Sequence, residues 1–340
     1  MRERTLKRIL CVILSGMLLL TGTAGCARRP SGDAPAEPIS ATAVLLDTVV
    51  SITLYDSSDE SLLEGCMDLI KHYEELFSRT IATSDIARLN SGETDTVSPE
   101  TAELILQGLM YGDISEGRFD ITIGAVSSLW DFSSGGGSVP PAGLITEALT
   151  HVDYSGVRVE GTRVTFEDPE TMLDLGAIAK GFIADRLKEY LVSNGVGSAV
   201  INLGGNTMCI GEKPGGKPFR IGIQYPFKET GELIAVLEIS DMSVVSSGSY
   251  ERYFVSGGVS YHHILDPSTG YSVSSGLCAV TIICSSSMQA DALSTICFIL
   301  GEKDALSLID SLDGVWCILI RDDMSMVFSE GAEAFVSEQK

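Results

Sequence analysis

The chain has 340 residues and a formal net charge of -23, from 46 acidic and 23 basic side chains. A surface this acidic is repelled by nucleic-acid phosphates and by anionic lipid headgroups, which excludes nucleic acid as a partner and leaves any membrane attachment to an acyl anchor. Eight cysteines occur without a C-x-x-C pair, so neither a zinc site nor a dithiol redox motif is indicated.

The first 25 residues read as an export signal. Arg2, Arg4, Lys7 and Arg8 form a basic start, and Ile9 to Leu20 is an apolar run too short to span a bilayer. Thr23-Ala24-Gly25-Cys26 is similar to a lipobox, which predicts cleavage before Cys26 and lipidation of its thiol. Ordinary secretion, with Cys26 as a bystander, is the alternative. Removing residues 1–25 takes four basic and one acidic group and leaves a charge of about -26. Residues 26–42 are rich in Pro, Ser, Ala and Gly and read as a flexible tether. Residues 43–335 are expected to form one domain. The glycine run from Ser133 to Pro141 is expected to be a surface loop within it.

Along that domain, the β-branched alternation from Val44 to Tyr55 predicts a strand. Leu62, Leu63, Cys66, Leu69, Ile70 and Tyr73 make the apolar stripe of a helix from Asp59 to Phe77. Ser98-Pro99 is an N-cap followed by a proline at the first helical position. A helix is predicted from about Ala177 to Ser193. Strands are predicted at Ser198–Leu203, Phe219–Tyr225, Leu233–Ile239 and Leu277–Cys284, and a hairpin over Tyr253–Leu265 turns at Gly257-Gly258. A helix from Met288 to Leu300 stops at Gly301, and Val315–Arg321 with Ser325–Ser329 reads as a last hairpin. Strands and helices mix without strict βαβ alternation, which predicts an α+β domain of mainly antiparallel sheets packed with helices. The remaining cysteines sit among aliphatic residues and read as buried thiols, with a disulfide left open.

Two runs carry the most chemistry. Asp174-Leu-Gly-Ala-Ile-Ala-Lys-Gly181 puts a carboxylate before a helix start and Lys180 inside its first turns. Ala290-Asp291-Ala-Leu-Ser-Thr295 puts a carboxylate and a hydroxyl four residues apart, on one helical face. Together they offer oxygen ligands for a hard cation, a lysine charge and helix-start N–H groups, the parts needed to hold a pyrophosphate. Taken singly, each run also reads as a solvated helix face. Asn202-Leu-Gly-Gly-Asn206 allows either a close backbone approach or a simple turn, and it is not a dinucleotide fingerprint. Phe119, within Gly117 to Gly124, allows stacking on a flat ring or core packing. His262 and His263 are adjacent on a strand and must face opposite ways, so one can point into a site.

The order of these blocks, with Leu46-Asp47-Thr48, Phe77-Ser78, Ser84 to Asn90 and His263 to Gly270, resembles the ApbE family of FAD:protein FMN transferases over about Leu46 to Gly301. The resemblance implies an enzyme that binds FAD and Mg2+, transfers FMN to a threonine hydroxyl of a partner protein and releases AMP. It implies FAD contacts from Leu46, Arg118, Phe119, Asp120, Asp174, Lys180 and His263. It implies metal ligation by the Asp291 and Thr295 side chains and the Ala177 carbonyl. His263 matches the histidine that assists catalysis, with Asp174 or a water as the competing base. Leu46-Asp47 stands where many members have Met-Gly, and no aromatic occurs at Arg79-Thr80. The implied acceptor is a protein with a pattern near Asp-Gly-x-Thr, in an extracytoplasmic electron-transfer subunit. This chain has no good copy of that pattern, since Asp313-Gly-Val-Trp316 lacks the threonine. The implied location is the outer face of the bacterial cell membrane, anchored at Cys26. An FAD pyrophosphatase giving FMN and AMP, and a flavin-binding lipoprotein without catalysis, are the rival readings.

Overall fold

The computed structural model describes residues 37–132 and 137–339. The signal, Cys26, most of the tether and part of the Ser133–Pro141 run lie outside the described residues. In chain order, β1 (Ile39–Leu45) and β2 (Thr48–Leu54) form a hairpin, followed by α1 (Glu60–Phe77), α2 (Asp85–Asn90), α3 (Pro99–Ile114), α4 (Gly124–Ser127) and α5 (Ala142–Leu149). A small ribbon, β3 (Val157–Glu160) with β4 (Arg163–Phe166), precedes α6 (Ala179–Ser193). Next come β5 (Ser198–Leu203), β6 (Asn206–Gly211), β7 (Phe219–Gln224), β8 (Leu233–Ile239), β9 (Ser243–Gly248) and the hairpin of β10 (Tyr253–Ser256) and β11 (Val259–His262). The chain closes with β12 (Leu277–Cys284), α7 (Ser287–Leu300), α8 (Glu302–Ile309), β13 (Val315–Arg321), β14 (Met326–Phe328) and β15 (Val336–Gln339).

An eight-stranded antiparallel sheet in the order β1-β2-β5-β6-β9-β12-β13-β14 forms the frame. Every residue of β12 is buried because both sheet faces are covered. Val280 and Ile282 face the main core with α1, α6 and α7, while Ala279 and Ile283 face a second core with β7 and β8. A third cluster gathers Val126, Trp130, Ile145, Phe254 and Leu265 beneath the β10–β11 hairpin. The α+β architecture of mainly antiparallel sheets is as the sequence predicts. The capped helix starts are too, with Asp59 accepting from the Ser61 N–H and Ser98 from the Thr101 N–H. The six described cysteines are buried free thiols.

Two expectations are corrected. Val44 to Tyr55 is a hairpin rather than one strand, turning at Leu46-Asp47 with φ of 55° and 54°. The two-residue turn pairs Leu45 with Thr48, so the inward face passes from the odd positions of β1 to the even positions of β2, a switch that the β-branched run from Val44 to Val50 does not mark. The domain also starts earlier than residue 43: Ile39 to Thr42, assigned to the tether, pair with Leu54 to Ser51.

Candidate functional site

One cavity of about 1000 Å³ opens at the ends of β2, β5 and β9 and against α6 and α7. It is lined by all ten described residues that the sequence singles out: Leu46, Arg118, Phe119, Asp120, Asp174, Ala177, Lys180, His263, Asp291 and Thr295. They come from segments as far apart as the β1–β2 turn and α7, so only the fold brings them together.

Its floor is built by an exchange between two helices. Asp185 of α6 accepts from the Ser287 and Met288 backbone N–H groups at 2.7 and 3.0 Å and from the Ser286 hydroxyl at 2.7 Å, which caps the start of α7. Burial pushes the Asp185 pKa up, and these three donors pull it back. In return, Asp291 of α7, 3% exposed, accepts the Gly181 N–H of α6 at 2.9 Å through Oδ2. Its other oxygen, Oδ1, lies 3.9 Å from Lys180 Nζ. A Cβ on Gly181 would sit 2.3 Å from the Ser287 carbonyl oxygen, so the final glycine of the Asp174–Gly181 run exists for helix contact.

This exchange frees a carbonyl. In a regular helix the Gly181 N–H would bond to the Ala177 oxygen; here it goes to Asp291, and among the described residues no backbone N–H donates to the Ala177 carbonyl. Asp291, Thr295 one turn later and Ala177 all line the cavity, so the donor types they offer there are oxygens only. Such a set suits a hard divalent cation that completes its shell with water and phosphate. It contains a single carboxylate, consistent with the absence, among the described residues, of any cluster of three His, Cys, Asp or Glu.

Asp174 precedes α6 but does not cap it. Its carboxylate accepts from Gly176 N–H at 3.0 Å and Ser127 Oγ at 2.8 Å, and Arg79 Nε lies 3.4 Å away. These three contacts hold the Asp174 carboxylate in place in the wall. Asp120 is likewise committed, to the Thr122 N–H at 2.7 Å and the Tyr154 N–H at 3.2 Å, and burial pushes its pKa up. Phe119 is 3% exposed with its ring edge on Tyr111, so core packing describes its ring. Leu46 donates its N–H to Glu74 Oε1 at 2.7 Å, which pins the left-handed turn at the cavity rim. The Asn202–Asn206 run is both a turn and a close approach: Gly204 has φ of 62°, and a Cβ there would lie 2.1 Å from Thr48 Oγ1.

The two histidines diverge as the strand requires. His262 Nε2 pairs with the Val273 carbonyl at 3.0 Å, and its ring packs on Phe298. His263 lines the cavity with Nδ1 unpartnered. Burial, then the charges of Arg252 and Lys180, push its pKa down to about 3, so the ring is neutral near pH 7. Two residues that the sequence reading missed complete the wall, Glu251 and Arg252. The residue keeps an exposed face, but desolvation by the surrounding cavity walls pushes the Glu251 pKa up to about 7 against the pull of Lys180 and Arg252, while Asp291 adds to the rise. Nothing in their spacing marks them, since Ser249-Tyr-Glu-Arg-Tyr253 reads as an ordinary polar approach to a strand.

A sequence profile described as the ApbE family matches residues 46–319. The chain is 35% identical over 295 residues to a FAD:protein FMN transferase of Klebsiella pneumoniae (strain 342), covering 85% of this chain and 91% of that one. It is 31% identical over 336 residues to a FAD:protein FMN transferase of Treponema pallidum (strain Nichols), covering 92% of this chain and 91% of that one. The crystal structure of the ApbE protein from Thermotoga maritima superposes with a TM-score of 0.81 at 32% identity, covering 89% of this chain and all of that one. The flavin transferase ApbE from Vibrio cholerae, 24% identical, shares the fold with a TM-score of 0.79, over 88% of this chain and 100% of that chain. With a profile match over most of its length and relatives of this identity across nearly whole chains, the protein belongs to the ApbE family.

Proposed function

We propose that this protein is a magnesium-dependent FAD:protein FMN transferase that moves FMN from FAD to a threonine hydroxyl of a partner protein and releases AMP. The names of its relatives support the reaction class. The observation that carries the reading is the meeting of the oxygen set, Lys180 and His263 in one cavity. A volume of about 1000 Å³ is at the upper end for small-molecule sites and suits a dinucleotide.

Asp291, Thr295 and the Ala177 carbonyl would hold Mg2+. When bound, the ion would offset the charge of the pyrophosphate that repels an attacking hydroxyl. Lys180 adds a fixed positive charge beside the same phosphates, and Arg252 lines the same wall. His263 lines the same cavity as a neutral ring near pH 7, the form that can accept the threonine proton. Asp174, held by Gly176, Ser127 and Arg79, or a water is the competing base. Export and lipid anchoring through Cys26 would put the reaction on the outer face of the cell membrane. The acceptor would then be an extracytoplasmic electron-transfer subunit with an Asp-Gly-x-Thr pattern. Among the described residues no helix is long and apolar enough to cross a membrane.

The test is incubation with FAD, Mg2+ and an acceptor domain carrying that pattern, read by intact mass. A flavinylated acceptor with AMP released supports the transferase. FMN and AMP without a labelled acceptor would identify an FAD pyrophosphatase, and unchanged FAD a flavin carrier.

A further inference from the structure

An exposed apolar patch lies against the cavity mouth. Tyr253 and Val255 share the outer face of β10, with Val255 63% exposed. The opposite face is spent on the third core, where Phe254 lies 5.6 Å from Tyr261 and 5.7 Å from Phe132. Phe227, in the loop between β7 and β8, is 50% exposed and sets its ring edge-on to Tyr253 at 5.6 Å and to Tyr250 at 6.0 Å. It holds φ of 59°, a left-handed conformation that a bulky residue adopts only under strain. The patch is continuous with the cavity. Tyr250, against which Phe227 packs, lines it, and so do Lys228 and Thr230 from the same loop. Both legs of the hairpin enter the wall as well, through Arg252 on one side and His263 on the other.

We propose that Phe227, Tyr253 and Val255 form the docking surface for the folded acceptor protein, so that a partner seated there delivers its hydroxyl to His263. This rests on the transferase reading. A reaction on a protein side chain needs a macromolecule at this mouth, and exposed aromatic residues beside a pocket are the residue types that anchor such contacts. In the same loop the exposed Glu229 and Glu232 outweigh the single exposed Lys228, a net acidic edge that argues against an anionic lipid surface as the occupant.

The test uses Phe227→Ser/Val255→Ser in the full mature chain, with Leu106→Ser/Met110→Ser as control. The control residues lie on an exposed stripe of α3 that contributes nothing to the cavity. The probes are an acceptor domain carrying Asp-Gly-x-Thr and a short peptide of the same pattern. The docking variant should raise KM for the domain about tenfold or more. FAD binding by fluorescence, and transfer to the peptide, should match wild type. The control variant should match wild type throughout. An unchanged KM for the domain, or an equal loss with the peptide, overturns the proposal. A variant that turns monomeric while KM holds assigns the patch to a second copy of this chain. If wild type labels no acceptor, the transferase reading fails by itself. Binding of the FAD-loaded protein to the domain then decides the surface: loss only in the docking variant supports it, and no binding by wild type overturns it.

Discussion

Asp291 accepts the backbone N–H of Gly181 at 2.9 Å, across the contact between α7 and α6. That single bond diverts the N–H from the Ala177 carbonyl, fixes one carboxylate oxygen and leaves the other toward Lys180. The metal ligands implied by the family resemblance are thus a by-product of how two helices pack. Gly181→Ala tests this. With its Cβ 2.3 Å from the Ser287 oxygen, the helices must separate. Overpacking of this kind costs about 1–3 kcal/mol. Urea denaturation should show that loss, and metal affinity should fall with it. A variant of wild-type stability and metal affinity would detach the ligand geometry from the helix contact.

Glu251 gives a pH-dependent prediction. Its pKa is raised to about 7 in the folded protein, from an ordinary value of 4.5. A raised carboxyl contributes stability that is full below the unfolded value and is lost as pH rises through the folded one. Replacing it with neutral glutamine should therefore raise the melting temperature more at pH 8 than at pH 4.5. Thermal melts of wild type and Glu251→Gln at the two pH values check this, and an equal change at both would place the Glu251 carboxyl in ordinary water.

His263→Gln separates binding from chemistry. FAD affinity should stay within a few-fold, because a ring that is neutral near pH 7 sets no charge against the pyrophosphate. Transfer should fall by about 10²–10⁴, the usual contribution of a general base. Single-turnover transfer at saturating FAD is the readout. Retained rates would move the proton acceptor to Glu251 or water.

How far the sequence speaks depends on whether a signal is local. Capped helices such as the one after Ser98-Pro99 and single-faced strands such as β5 are legible because cap and period lie within a few residues. The β1–β2 turn is hidden because Leu46-Asp47 adopts left-handed angles without an Asn-Gly signature. β9 is hidden because Ser-Val-Val-Ser-Ser-Gly has no two-residue period, its serines being spent on partners such as the Ser246–Thr281 and Ser247–Ser294 hydroxyl pairs. Within the site, Asp174, Lys180, Asp291 and His263 stand in recognisable runs. Glu251 and Arg252 do not, since their setting comes from segments far along the chain. Asp174 and Asp120 are also more committed to holding the wall than their residue type suggests.

The proposed transfer depends on Asp291 and Thr295 acting with Mg2+ on bound FAD. The most direct measurement is the initial rate of acceptor labelling by wild type, Asp291→Ala and Thr295→Ala across a magnesium titration, followed by intact mass. Both variants should need far more magnesium than wild type, and Asp291→Ala should lose the greater part of its rate at limiting metal. Equal labelling by wild type and Asp291→Ala under limiting magnesium would contradict the central claim.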